Sequence, residues 1–224
     1  MSVVPLVGAF GSGGDEPWAR IMTDGGGPLW ALHDDGARIP LDTARWAAGA
    51  DAVDRRAIEA LPGPVLDVGC GPGRMVRAAL DAGLPALGID VSAAAVRRCR
   101  ADGIPVLRRD VFGPVPRPGT WGAALLFDGN VGIGGDVPAL LARLRDLLAP
   151  DGVAVAEVHS EQDRHERTLS RVVDARGRIS APFSWATVGE QPLVAAATGF
   201  RLERAWSDGG RRFVRLRRTA DAAG

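Results

Sequence analysis

The chain has no lysine among its 224 residues, so all 27 basic side chains are arginine. Covalent chemistry through a lysine imine is therefore excluded. Tyrosine is absent as well, which removes a phenolic acid or base. The two cysteines, Cys70 and Cys99, are too few for a disulfide framework. Formal charge sums to zero, which argues against a nucleic-acid partner held by a general basic field. No apolar run approaches the length that spans a bilayer, and the N-terminus does not resemble a signal peptide. The expectation is a soluble, cytoplasmic protein with no membrane partner, a monomer or a homodimer. With 46% apolar residues the chain can bury one sizeable core.

From Pro64 onward short apolar runs alternate with helical patterns. The runs are "PVLDVG", "PALGIDV", "PVLRRD", "GAALLFD" and "GVAVAEVHS". Between them lie helical stretches at Arg74–Ala82, Ala93–Ala101 and Val137–Leu148, the last with an apolar stripe and arginines opposite. Such alternation predicts βαβ units and a mostly parallel sheet with helices on both faces. The pattern then changes. "RTLSRVVDARGRISAPFSW" reads as a hairpin about Ala175-Arg176-Gly177, ahead of a helix at "TVGEQPLVAAATG". "FRLERAWSDGGRRFVRLRRT" reads as a second, antiparallel hairpin closing the sheet. Upstream, "PLWALHDDGARIPLD" predicts a hairpin about Asp34-Asp35-Gly36, "PWARIMT" a short helix, and Gly49–Leu61 a helix ending before Pro62.

Two glycine-rich turns follow apolar strands: "DVGCGPGR" and "FDGNVGIGGD", the second holding Asn130, the only asparagine. In the first, Gly69, Gly71 and Gly73 let the backbone turn sharply and approach a ligand, with a helix N-terminus behind. Asp90 ends the next strand, where an acid can accept ribose hydroxyls, and Asp110 ends the third, where it can meet an adenine amino group. A dinucleotide fingerprint needs a glycine where Arg74 stands. Asp67 would also set a carboxylate against a pyrophosphate, so it suits a ligand carrying a cationic amine.

"VLDVGCGPGR", "LGIDVS", "RRDVF" and "DLLAPDGVAVAEV" together resemble the successive motifs of class I S-adenosylmethionine-dependent methyltransferases. The resemblance covers roughly residues 57–219, apart from 160–185. It implies a Rossmann-like seven-stranded mostly parallel sheet with an antiparallel C-terminal hairpin. S-adenosylmethionine is the implied cofactor and S-adenosylhomocysteine the product. Asp67, Gly69, Cys70, Gly71 and Gly73 would hold the methionine part, Asp90 with Val91 the ribose, and Asp110 with Val111 the adenine. The implied domains are an N-terminal extension or lid over 1–48, a methyltransferase domain over 49–219 with an inserted acceptor-side hairpin at 160–185, and a tail over 220–224.

In this family the turn after the fourth strand lies beside the methyl group, which makes "FDGNVGIGGD" that turn. It lacks the Pro-Pro-aromatic segment common to enzymes acting on exocyclic base nitrogens. Asp128 could meet the cofactor or take an acceptor proton, or cap its own turn. Asn130 could orient an acceptor or hold a left-handed turn. Asp136 reads as the N-cap of the next helix. His159, at the end of the fifth strand, is a candidate base, whereas His33, beside a hairpin turn, is expected to be exposed. "EVHSEQDRHE" holds ligand-type residues without ligand spacing, so no metal is expected. Trp18, Trp30, Trp46, Phe183 and Trp185 would form an apolar wall for a small-molecule acceptor. The expected activity is methyl transfer to oxygen or nitrogen of that molecule. The alternatives are an RNA or protein methyltransferase and a non-catalytic S-adenosylmethionine-binding protein.

Overall fold

A computed structural model describes Ala19 and residues 27–220. The helix expected at "PWARIMT" lies, Ala19 apart, outside the described residues. The chain opens with β1 (Leu29–Leu32) and β2 (Arg38–Leu41), then α1 (Thr43–Ala47) and α2 (Ala52–Ala57). The alternating region follows as β3 (Val65–Val68), α3 (Arg74–Asp81), β4 (Ala86–Asp90), α4 (Ala93–Ala101), β5 (Val106–Arg108) and β6 (Trp121–Leu126). A 3-10 turn at Asn130–Gly132 leads to α5 (Val137–Leu147) and β7 (Leu148–Val158). The rest is β8 (His165–Asp174), β9 (Phe183–Val188), α6 (Glu190–Ala196), β10 (Phe200–Asp208) and β11 (Arg211–Arg218). None of the helices among the described residues is long and apolar enough to cross a membrane.

Seven strands form the main sheet in the order β10-β11-β7-β6-β3-β4-β5. β3 to β7 run parallel to their neighbours, and β10 and β11 close the sheet antiparallel. This is the Rossmann-like sheet expected from the sequence. Each of β3 and β6 is buried along its whole length, as strands covered on both faces must be. β6 sends Ala124 and Leu126 to the layer containing α5, and Ala123 and Leu125 to the layer of α2 and α3. Side-chain caps fix the helix starts: Ser92 accepts from the Ala95 amide, and Asp136 accepts from the Ala139 amide at 3.0 Å. Helix α2 is shorter than the periodicity predicts. After its Asp51–Asp54 capping box the chain tightens into bonds from Glu59 to Arg56 and from Leu61 to Ile58, with Ala60 at φ 57°.

The remaining strands make a second, four-stranded sheet in the order β2-β1-β8-β9, antiparallel throughout. The N-terminal hairpin and the hairpin inserted after β7 are thus one structure, joined where Leu29–Leu32 pairs with Arg171–Asp174. Between β8 and β9, Asp174 organises the turn by accepting from the Arg176 and Arg178 amides, each at 2.9 Å. The main sheet changes direction of growth between β3 and β6, where ligands bind in open α/β sheets. The four-stranded sheet stands over that switch point.

Candidate active site

A cavity of about 560 Å³ lies between the two sheets. Its floor is the carboxyl edge of the main sheet, and its roof is one face of the four-stranded sheet.

The first glycine turn shapes the floor. Gly69 has φ +71°, and a Cβ there would lie 2.7 Å from the Asn130 Nδ2. That closeness has a purpose, because Asn130 Nδ2 donates to the carbonyls of Val68 (2.9 Å) and Gly69 (2.8 Å). Asn130 therefore ties the second glycine turn to the first. It does not hold a left-handed conformation; Asp128 and Gly129 do, at φ 56° and 80°. The second turn also meets the roof: a Cβ on Gly132 would lie 2.7 Å from the indole Nε1 of Trp185. Asp90 accepts from the Gly71 amide (2.8 Å) and the Ser92 amide (2.7 Å), fixing the far side of the first turn. The Gly71 carbonyl accepts from the Cys99 thiol at 3.2 Å.

Charges of the floor are nearly all paired. Arg74 bridges Asp54 and Asp128. Arg45, from α1, contacts Asp128 at 3.0 Å and Glu157 at 3.3 Å. Arg211 closes the set with Asp54 and Glu157, both at 2.7 Å. The Asp128 amide donates to Glu157 at 3.0 Å, so Asp128 is held by arginines and by its backbone rather than capping its own turn. Burial opposes ionisation of Asp54 and Glu157. Hydrogen bonds from Arg74 and Arg211 to Asp54, and from Arg211 to Glu157, nonetheless hold both below the usual carboxylate range. Asp128 goes the other way, raised first by burial although Arg74 pulls it down.

Asp67 differs from all of these. It is 2% exposed and lines the cavity, and its carboxylate has no hydrogen-bond or ion-pair partner among the described residues. Burial, and then the nearby charge of Asp128, push its carboxyl up to about 7. Asp90 is also raised by burial, against the two amides that stabilise its charge.

Side chains on alternate positions reach the cavity from the roof: Ala31 and His33, Ile39 and Leu41, Ser170 and Val172, Phe183, Trp185 and Thr187, as the pleat dictates. No charged residue comes from these four strands. Trp46 of α1 joins them.

Most residues singled out in the sequence meet here: Asp67, Gly69, Cys70, Gly71, Asp90, Val91, Asp110, Val111, Asp128, Asn130, Trp46, Phe183 and Trp185 all line the cavity. Gly73 does not; it starts α3 and packs against Ile104 and Cys99. Trp30 is a correction. It lies one position from Ala31, hence on the outer face of the roof, with the Arg38 guanidinium 4.1 Å over its ring. His159 is not brought to the cavity either. Its amide pairs with Val188, its Nδ1 accepts from Glu161, and it borders a separate space of about 210 Å³ behind Trp185 and Thr187. His33, expected to be exposed, is 8% exposed and faces the cavity, because the roof covers the turn that seemed free. Trp18 lies outside the described residues. Sequence reading missed Asp54, Arg45, Glu157 and Arg211. Glu157, an acid inside the apolar run "GVAVAEV", was the one visible signal.

A family model described as a methyltransferase domain matches residues 43–184. That is more than half of the chain, which belongs to this methyltransferase family. No curated protein sequence matches it. Among solved structures, an S-adenosylmethionine-dependent methyltransferase from Bacteroides fragilis, in complex with S-adenosyl-L-homocysteine, superposes with TM-score 0.75 at 19% identity, over 91% of this chain and 93% of that one. The 1,6-didemethyltoxoflavin-N1-methyltransferase of Burkholderia thailandensis, holding its acceptor and S-adenosylhomocysteine, gives TM-score 0.55 at 19% identity, over 75% and 79%. A glycopeptide N-methyltransferase complexed with S-adenosyl-L-homocysteine gives 0.57 at 15% identity, over 77% and 91%.

Proposed function

We propose that this chain transfers the methyl group of S-adenosylmethionine to an oxygen or nitrogen of a small, largely apolar molecule. One observation carries the reading: a single cavity joins an unpartnered buried carboxylate, Asp67, to an uncharged aromatic roof. The residues present fit the cofactor. Asp67 would receive its ammonium group, the amide-rich turn Gly69–Gly71 its carboxylate side, Asp90 its ribose, and Val91, Asp110 and Val111 its adenine. When bound, the cofactor supplies an electrophilic methyl group on sulfur. The chain supplies alignment. Asn130 fixes the two turns against each other, and the arginine network holds Asp128 and the α1 segment in place. Phe183, Trp185 and Trp46 exclude water and present an apolar face to the acceptor. Two structural neighbours are methyltransferases named for 1,6-didemethyltoxoflavin and for a glycopeptide, which supports a small or medium-sized acceptor over a polymer.

Calorimetry with S-adenosylhomocysteine tests the cofactor half, with a dissociation constant in the micromolar range expected. Transfer of labelled methyl from S-adenosylmethionine into the small-molecule fraction of a cell extract tests the acceptor half. No binding of S-adenosylhomocysteine would end the reading, and label found only in RNA or protein would replace the acceptor.

A further inference from the structure

His33 is the second buried titratable group in the cavity that the protein leaves without a partner. It is 8% exposed, its ring makes no hydrogen bond or ion pair among the described residues, and it lines the cavity from the roof. The backbone on either side is fixed: its amide donates to Ala37 (2.9 Å), and its carbonyl accepts from Gly36 (3.0 Å). An imidazole so held keeps its unpaired ring nitrogens accessible rather than sealed away, free to meet a ligand in the cavity. The other hydroxyls on this face are those of Ser170 and Thr187. Ser170 is already paired with Thr168 at 3.0 Å, and an alkyl hydroxyl is a poor base, so the imidazole of His33 is the one group on this face suited to general-base work.

We propose that His33 binds the acceptor's reacting hydroxyl and receives its proton, and that the acceptor is an uncharged aromatic molecule carrying that hydroxyl. This rests on the methyl-transfer reading above. The charged lining, including Arg74, Arg109, Asp110 and Asp128, lies on the floor, whereas the roof offers a carboxylate no cation and a protonated amine no anion, so an acceptor charge held against the roof would go uncompensated. Phe183, Trp185 and Trp46 supply ring faces to stack on. In the transfer, the hydroxyl oxygen forms its bond to the methyl carbon while its hydrogen passes to an imidazole nitrogen. The pair of electrons from the broken sulfur–carbon bond stays on sulfur. The positive charge therefore leaves the sulfonium and reappears on His33, to be discharged to water as product departs.

The test uses the protein saturated with S-adenosylhomocysteine and two probes, 2-naphthol and its methyl ether 2-methoxynaphthalene. Wild type should bind the naphthol about tenfold more tightly than the ether, and His33→Ala should reduce that preference to within about twofold. S-adenosylhomocysteine affinity should stay unchanged in the variant, which also shows that it folds. With S-adenosylmethionine and 2-naphthol, His33→Gln should retain KM within a few fold but lose about a hundredfold in kcat. An undiminished preference in His33→Ala, or 2-naphthol failing to bind a complex that does hold S-adenosylhomocysteine, overturns the proposal and leaves the cofactor site standing. Better binding of 6-hydroxy-2-naphthoate than of 2-naphthol overturns the uncharged acceptor. Failure to bind S-adenosylhomocysteine at all removes both readings.

Discussion

The floor and the roof of the cavity are built on opposite principles. Beneath the ligand space, three arginines and three carboxylates are interlocked, from Asp54 through Arg74, Asp128, Arg45 and Glu157 to Arg211. Above it, the four-stranded sheet offers side chains without a single formal charge. A closed network of paired charges is rigid and intolerant of change, because removing one member strands its partner away from water. An apolar roof on a strand pleat is tolerant, since any side chain of suitable volume at an inward position changes the shape of the space without breaking a bond. The floor thus suits a fixed ligand, and the roof a variable one.

The floor is most vulnerable at Asp54, which is 1% exposed and shared by Arg74 and Arg211. Asp54→Ala should cost about 3 kcal/mol or more in urea unfolding, and a loss below about 1 kcal/mol would mean that the network is dispensable. Asp67→Asn should act in two directions. A carboxyl raised to about 7 binds its proton more tightly in the folded state than in the unfolded one. Its contribution to stability is therefore full at low pH and is lost as pH rises through about 7. An asparagine cannot ionise, so at pH 8 the ligand-free variant should be more stable than wild type by roughly 2 to 4 kcal/mol. The same variant should bind S-adenosylhomocysteine roughly 30-fold more weakly, while wild-type affinity should climb between pH 6 and 8. Equal stability of the two proteins at pH 8, or a flat wild-type profile, would show Asp67 to be an ordinary carboxylate. Asn130→Ala removes both bonds between the glycine turns and should cost about 1 to 2 kcal/mol by thermal melting, with a matching drop in cofactor affinity. Smallest of all should be Trp30→Ala, on the outer face. A change within about 1 kcal/mol is expected, with binding of 2-naphthol untouched, and a change in that binding would put Trp30 in the wrong face of the roof.

The main sheet was legible because its strands are short apolar runs that stop at glycine, aspartate or proline, and its helices carry visible caps such as Ser92 and Asp136. Asp67 and Asp90 were legible too, since their positions relative to one glycine turn define them. The roof was not. Whether Trp30 or Ala31 faces inward is a question of parity, and the four residues of β1 are compatible with either answer until the partner strand is known. The same ambiguity hid His33. Members of the arginine network were invisible for a different reason: Arg45 and Glu157 stand 112 positions apart, and no local pattern announces a long-range pair. Asn130 drew attention by its rarity, but its partners are backbone carbonyls, which leave no mark in a sequence.

The pairing of β1 with β8 has a kinetic consequence. Leu29–Leu32 waits for partners about 140 residues further along the chain, so closing that loop carries an entropic cost that local helices and βαβ units never meet. The nucleotide-binding strands β3 to β6 are complete in the chain by residue 126, whereas β1 must wait for β8 before the acceptor half can assemble. Emerging chains would hold the cofactor pocket before they hold a lid for it, and a protease present during synthesis would find the N-terminal hairpin before any other element of the fold.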